Sequence, residues 1–282
     1  MSEQNQTTSS ISSVAFNNKN PLMTQNLFPE LEGIENVEID QNTGCIDCIG
    51  PCCLPNKYVA YYPGTDKKLF EFEEKSDCCE RWCCFKCRSF NMRIYNSSKN
   101  SNIVSIILEG DKNCAGGVIS CFGCGKPKMS IRAISPQGYY LGKVAMNWDS
   151  CCCVSCCHPR IEILDNTGQI KYTIFANCFS IGSYCSKCTK CCDILYHIVQ
   201  DNKRVGSMAK IPCDSCRICC TKADQFTINL PKLATPEEKM LLIIGCILID
   251  YQSFYAYRIV YKLFKYNKNF NSNLFRPFYL FH

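Results

Sequence analysis

Cysteine fills 27 of the 282 positions while histidine fills three, so the chain's candidate chemistry is thiol chemistry. A thiol can close a disulfide, ligate zinc as a thiolate, or carry a thioester-linked fatty chain. Disulfides rank last. The N-terminal stretch MSEQNQTTSSISS lacks the apolar core of a secretory signal, which points to a reducing setting. Neighbouring cysteines reach disulfide geometry with each other only under strain, and the odd count leaves one over. Zinc is read from Cys185-x-x-Cys188 and Cys213-x-x-Cys216, two C-x-x-C steps whose four thiolates could surround one tetrahedral ion. That spacing does not account for the run Cys151-Cys152-Cys153-Val154-Ser155-Cys156-Cys157, whereas a thioester needs only an exposed thiol beside a bilayer, so adjacency favours acylation. The isolated Cys114, Cys178 and Cys246 read as small apolar residues in tight places.

The elements that hold these cysteines follow from a repeat. Clusters at 45–53, 78–87, 114–124, 151–157, 185–192 and 213–220 recur about every 30 to 37 residues. Between them lie polar turns: Pro63-Gly64-Thr65-Asp66, residues 96–100, Ser135-Pro136-Gln137-Gly138, Asp165-Asn166-Thr167-Gly168 and Asp201-Asn202-Lys203. From turn to cluster the pattern has period two. Phe90, Met92 and Ile94 alternate with polar neighbours, as do Met129, Ile131 and Ala133, then Ile170, Tyr172 and Ile174, then Phe226, Ile228 and Leu230. Such alternation predicts strands with one buried face, about twelve from Val37–Asp40 to Phe226–Leu230.

A meander of that many strands closes into a barrel because open edges are sticky. Successive turns then lie at opposite ends, which places all six cysteine clusters on one rim and the polar turns on the other. Twelve strands enclose more space than wall side chains can fill. The filler is predicted at about 236–256, where Thr235-Pro236-Glu237-Glu238 forms a capping box ahead of the apolar run Met240–Ile249. Spanning a bilayer takes about 20 apolar residues, and this run is ten, so it is read as a helix inside the barrel. Asp250 then falls at the wet end of the barrel, a proton- or ion-binding role being the alternative.

The motifs Ala223–Pro231 and Gly245–Asp250 resemble the C-terminal signature of the phospholipid scramblase family. Asp77–Cys84, Phe90–Ile94, Gly142 to Trp148 and Cys185 to Cys192 follow that family's order and spacing, and the resemblance covers about residues 45–256. It implies a tubby-like fold: a closed twelve-stranded antiparallel barrel enclosing a hydrophobic C-terminal helix. It implies ATP-independent, calcium-stimulated movement of phospholipids between leaflets, and S-palmitoylation of a cysteine run. The lipidation candidates are Cys151, Cys152, Cys153, Cys156, Cys157, Cys121, Cys124, Cys78, Cys79, Cys83 and Cys84. The implied calcium segment would begin at Lys222 and end at Leu233, where the family carries acids. It retains Asp224 and Asn229, against the six to eight oxygens calcium takes, so intrinsic binding is expected to be weak or absent.

The domain reading is a disordered polar tail at 1–32, the barrel with its helix at 33–256, and a basic-aromatic extension at 257–282. From 251 onward there is no acid, while Arg258, Lys262, Lys265, Lys268 and Arg276 stand among aromatic residues, a composition that favours anionic lipid interfaces and equally fits a helix continuation packed on the barrel with solvated lysines. The net charge of +6 is spread too widely to indicate nucleic acid. No phosphate-binding glycine loop, nucleophile elbow or zinc-protease helix is present. The expected partner is membrane phospholipid at the cytoplasmic face of a membrane, the plasma membrane foremost, with palmitate as the covalent group. An S-acylated adaptor that binds lipids or proteins without scrambling is the alternative.

Overall fold

The computed structural model describes residues 27–42, 55–76, 90–97, 104–113, 128–147, 160–176, 194–211 and 225–266. The period-two segments are strands β1 (Asn36–Asn42), β2 (Lys57–Tyr61), β3 (Lys68–Glu74), β4 (Phe90–Asn96), β5 (Val104–Asn113) and β6 (Lys128–Ile134). They continue as β7 (Tyr140–Asn147), β8 (Arg160–Asp165), β9 (Ile170–Ala176), β10 (Ile194–Gln200), β11 (Lys203–Ile211) and β12 (Gln225–Asn229). Each strand pairs antiparallel with its sequence neighbour, and β12 pairs with β1 through Val37 opposite Ile228, closing the expected twelve-stranded barrel.

Turn chemistry sets the register at one end. Asp201 and Asn202 hold φ of 48° and 61°, the paired positive values of a two-residue hairpin turn, and both residue types tolerate them. At the β8–β9 turn the Asp165 carboxylate accepts hydrogen bonds from the Thr167 and Gln169 backbone N–H groups at 2.8 and 3.0 Å. Gly168 supplies that turn's positive φ of 85°.

Side-chain alternation turns the barrel's apolar face inward. Ile39, Phe70, Met92, Ile94, Ile131, Ile163, Ile174 and Ile228 are fully buried, while Arg93 and Glu109 face solvent. Outside, Lys57 pairs with Glu73 at 3.2 Å, Lys68 with Glu71 at 2.8 Å and Arg132 with Glu109 at 3.6 Å. Membrane-spanning barrels carry the opposite polarity, apolar outside and polar within. Ile170, read as a buried strand position, is 55% exposed because it opens β9 beyond the edge of the core.

The interior is filled by helix α1 (Pro236–Tyr266). Its capping box forms as predicted: the Glu238 N–H donates to Thr235 Oγ1 at 3.3 Å, and the Thr235 N–H donates back to Glu238 Oε2 at 3.0 Å. Residues Met240 to Tyr251 are buried on every side, so the helix is sheathed by the wall. From Pro236 to Tyr251 it rises about 24 Å at 1.5 Å per residue, close to the span of a seven-residue strand. Burying its seven leucines and isoleucines contributes about 10–20 kcal/mol as an upper figure. Helix and wall meet closely at Gly245, where an added Cβ would lie 2.9 Å from Ile174 Cδ1 and 3.2 Å from Ile163 Cδ1.

Two boundaries differ from those read in the sequence. The helix, placed at about 236–256, continues to Tyr266. The ordered fold begins ahead of residue 33: a 3-10 turn at Pro29–Leu31 closes the polar end, with Phe28 and Leu31 fully buried. Phe28 packs edge-on against Phe70 at 5.9 Å between ring centroids. Two apolar anchors in a polar stretch are enough to dock it, although its composition reads as a tail.

Candidate functional site

The two ends of the barrel differ in chemistry. At the polar-turn end α1 begins, and the 3-10 turn lies across it. Lys239 is 3% exposed and donates to the Leu31 carbonyl at 3.1 Å; burial holds its ammonium below the usual lysine range, against the opposing pull of Glu35 and Glu32. Tyr172 donates to Glu238 Oε2 at 3.1 Å, and burial followed by that neighbouring carboxylate pushes the phenol up. The 3-10 turn and β9 thus both hold the first turn of the helix at this end.

The strands that flank the six cysteine clusters all end at the other rim, where α1 leaves the barrel. Here inward-facing positions turn polar: Gln41 on β1, Glu74 on β3, Lys210 on β11 and Asp250 on α1. Asp250 is 1% exposed, accepts from the Tyr58 hydroxyl at 2.9 Å and pairs with Lys210 Nζ at 3.2 Å. Its expected position at a wet end is therefore corrected: it lies at the helix exit, but sheathed, because Tyr58 and Lys210 reach over it from two strands. Glu74, also 1% exposed, accepts from the Asn56 amide group at 2.6 Å, the Asn56 backbone N–H at 3.1 Å and the Ser76 hydroxyl at 2.8 Å. Gln41 donates to Asn56 Oδ1 at 3.3 Å, joining β1 to this group.

Lys210 and Glu74 were missed in the sequence reading, although a signal was present. Each sits two residues after a buried apolar residue, Met208 and Phe72, so period-two parity already turns it inward at the strand end next to a cysteine cluster.

The acylation candidates Cys151, Cys152, Cys153, Cys156, Cys157, Cys121, Cys124, Cys78, Cys79, Cys83 and Cys84 lie outside the described residues. So do the zinc candidates Cys185, Cys188, Cys213 and Cys216, and Asp224 of the calcium pair. Asn229 is described: it is exposed on β12 and donates its side-chain amide to Ser207 Oγ at 2.9 Å. Cys246 is a free thiol buried in the core, and burial pushes it well above the usual range, with Asp250 adding to and Lys210 opposing the effect. Among the described residues no three His, Cys, Asp or Glu side chains gather as a metal site. Among them also, no helix is long and apolar enough to cross a membrane.

The scramblase family model matches residues 16–256, which takes in the 3-10 turn, all twelve strands and the sheathed part of α1. This chain belongs to the scramblase family. It is 26% identical over 239 residues to phospholipid scramblase 2 of Bos taurus, covering 83% of this chain and 74% of the relative. It is also 26% identical over 226 residues to phospholipid scramblase 1 of Homo sapiens, covering 79% of this chain and 64% of the relative. The rat phospholipid scramblase 1 is 25% identical over the same length, with 61% of that relative covered. The chain thus spans less than two thirds of its scramblase 1 relatives. No solved structure matches it.

Proposed function

We propose that this chain moves phospholipids between membrane leaflets without covalent chemistry or ATP. The observation that carries the reading is the scramblase family match across the whole barrel and its helix. The geometry supports a particular arrangement. The interior is occupied by α1 and the outer wall bears ion pairs, so lipid would move past the cysteine rim and not through the barrel. Acyl chains on the candidate cysteines would hold that rim against the cytoplasmic face of a membrane, the plasma membrane in the first instance. Two chains suffice for stable anchoring, at about 0.8 kcal/mol per buried methylene. The rim would then act by thinning the bilayer locally or by assembling several copies around a lipid path. Zinc at Cys185, Cys188, Cys213 and Cys216 is compatible with acylation of the other clusters. Calcium at Asp224 and Asn229 is given no part, since two side chains fall short of a calcium shell.

The test is leaflet exchange of a fluorescent phospholipid in vesicles reconstituted with acylated full-length protein, with and without calcium. Exchange above that of empty vesicles supports direct scrambling. Confirmed insertion without exchange would sink it and leave an S-acylated adaptor as the reading.

A further inference from the structure

The outward-facing side chains nearest the cysteine rim are of two kinds. On the wall from β2 to β6 they are charged and paired, Lys57 and Lys75 with Glu73, and farther from the rim on the same wall Arg132 pairs with Glu109. On the wall from β8 to β11 they form a row of different character. Arg160 Cζ lies 5.8 Å from the Phe175 ring centre, and Phe175 stacks edge-on against His197 at 5.8 Å. One step nearer the rim Leu195 is 43% exposed and stands opposite Ala209, with Ile211 next on the same face of β11. Burial and then Arg204 hold the His197 imidazole below its usual range, which disfavours its charged form. Among the described residues the nearest acid, Glu162, sits one outward position behind Arg160 and accepts from the Asn147 side-chain amide at 2.7 Å. Among the described residues Arg160 is therefore the charge this face presents at its edge.

We infer that the β8–β11 wall, through Arg160, Phe175, Leu195 and Ile211, is the side of the barrel that lies on an anionic lipid surface. The inference rests on the membrane reading proposed above and adds an orientation to it. An arginine beside an aromatic ring and an exposed leucine is the chemistry of the headgroup boundary, where guanidinium meets phosphate and the apolar groups dip below it. The face is continuous with the rim, and the helix leaving that rim carries Arg258, Lys262 and Lys265 and no acid beyond Asp250. A handful of side chains is well short of the roughly 800 Å² per partner of a stable protein interface, but it suffices for shallow insertion. The opposite wall, with its acids at Glu73 and Glu109, would face anionic headgroups unfavourably.

The experiment compares the binding of full-length protein to phosphatidylcholine vesicles with and without phosphatidylserine, using Arg160→Glu, Leu195→Glu and Leu195→Trp. Arg93→Glu serves as a matched charge reversal on the opposite wall, and thermal melts confirm folding. Arg160→Glu and Leu195→Glu should each lower the partition coefficient about fivefold or more, since one basic residue near the surface accounts for about that factor. Leu195→Trp should raise it, and Arg93→Glu should stay within about twofold. If wild type binds but Arg93→Glu weakens binding as much as Arg160→Glu, or neither Leu195 variant moves it, the orientation is wrong while membrane association stands. If wild type binds neither vesicle, the orientation and the membrane reading fall together.

Discussion

Tyr58 on β2 donates its hydroxyl to Asp250 on α1 at 2.9 Å, although 192 residues separate them in the chain. Lys210 on β11 reaches the other carboxylate oxygen at 3.2 Å. In the barrel β11, β12, β1 and β2 are consecutive neighbours, so the two partners flank the seam where the first strand meets the last. One helical carboxylate thus ties both sides of the closure to the plug at the end where the helix departs.

Removing that carboxylate should cost more than removing either partner. Asp250→Ala leaves the Tyr58 hydroxyl and a largely buried ammonium facing an apolar helix, a loss of about 3–5 kcal/mol for a broken buried pair. Tyr58→Phe removes one hydrogen bond and retains the Lys210 pairing, about 1–2 kcal/mol. Denaturant unfolding followed by circular dichroism reads both. Equal small effects from the two variants would show that Asp250 does not hold the seam.

Gly245 gives a graded test of how tightly the helix is sheathed. Alanine gains about 1 kcal/mol of helix propensity, while its Cβ meets the ends of the Ile174 and Ile163 side chains, which can shift. Gly245→Ala should therefore lie within about 1 kcal/mol of wild type. Gly245→Leu adds a branched side chain where only rotatable tips can yield and should cost about 3 kcal/mol or more. Thermal midpoints of the two variants that coincide would mean the wall is looser than this contact.

Strand count, closure, the occupied interior and the capping box were all legible in the sequence, because each rests on a local rule repeated many times. Period-two alternation bounded by turn residues recurs along the whole chain, and Thr235 and Glu238 stand at the one spacing that lets them cap each other. What was not legible depends on where inward polar groups meet. Asp250 reads as solvated from its neighbours Gln252 and Ser253, and only the register that brings Tyr58 and Lys210 to it reverses that. Phe28 and Leu31 read as part of a polar tail because docking on Phe70 is a contact across the fold. The candidate cysteines are legible as chemistry, whereas their placement beyond the strand ends lies outside the described residues.

Asp165 predicts an acid-sensitive step. Burial alone would raise its carboxyl, but hydrogen bonds from the Thr167 hydroxyl and the Gln169 and Thr167 backbone N–H groups, with Lys171, outweigh it and hold the pKa at about 2. The folded value lies below the unfolded one of roughly 3.9. Its stabilisation is therefore fully present above about pH 4 and lost as pH falls toward 2. Asp165→Ala should lower the thermal midpoint at pH 7, and the gap to wild type should close between about pH 4 and 2. A gap that stays constant down to pH 2 would assign the effect to the turn's shape and not to its charge.

Deletion of the N-terminal segment should divide at the 3-10 turn. Removing residues 1–26 leaves Phe28, Leu31 and the Lys239 bond to the Leu31 carbonyl in place, and the unfolding midpoint should hardly move. Removing 1–32 exposes the core beneath Phe28 and Leu31 and leaves the buried Lys239 without that acceptor, a loss of about 4 kcal/mol or more. Equal stability of the two truncated chains would show that the 3-10 turn does not seal the polar end.

Calcium titration tests the remaining metal assignment. Alternation on β12 sends Phe226 and Ile228 inward, so Thr227 and Asn229 share the outer face, and the Asn229 amide is engaged with Ser207. A straight strand offers one outward side chain in every two residues and cannot wrap a cation that takes six to eight oxygens. Calorimetry of the metal-free full chain should show no micromolar calcium binding, and Asn229→Ala should leave any weaker binding unchanged. A micromolar dissociation constant that this substitution abolishes would restore Asp224 and Asn229 as ligands and return calcium to the mechanism.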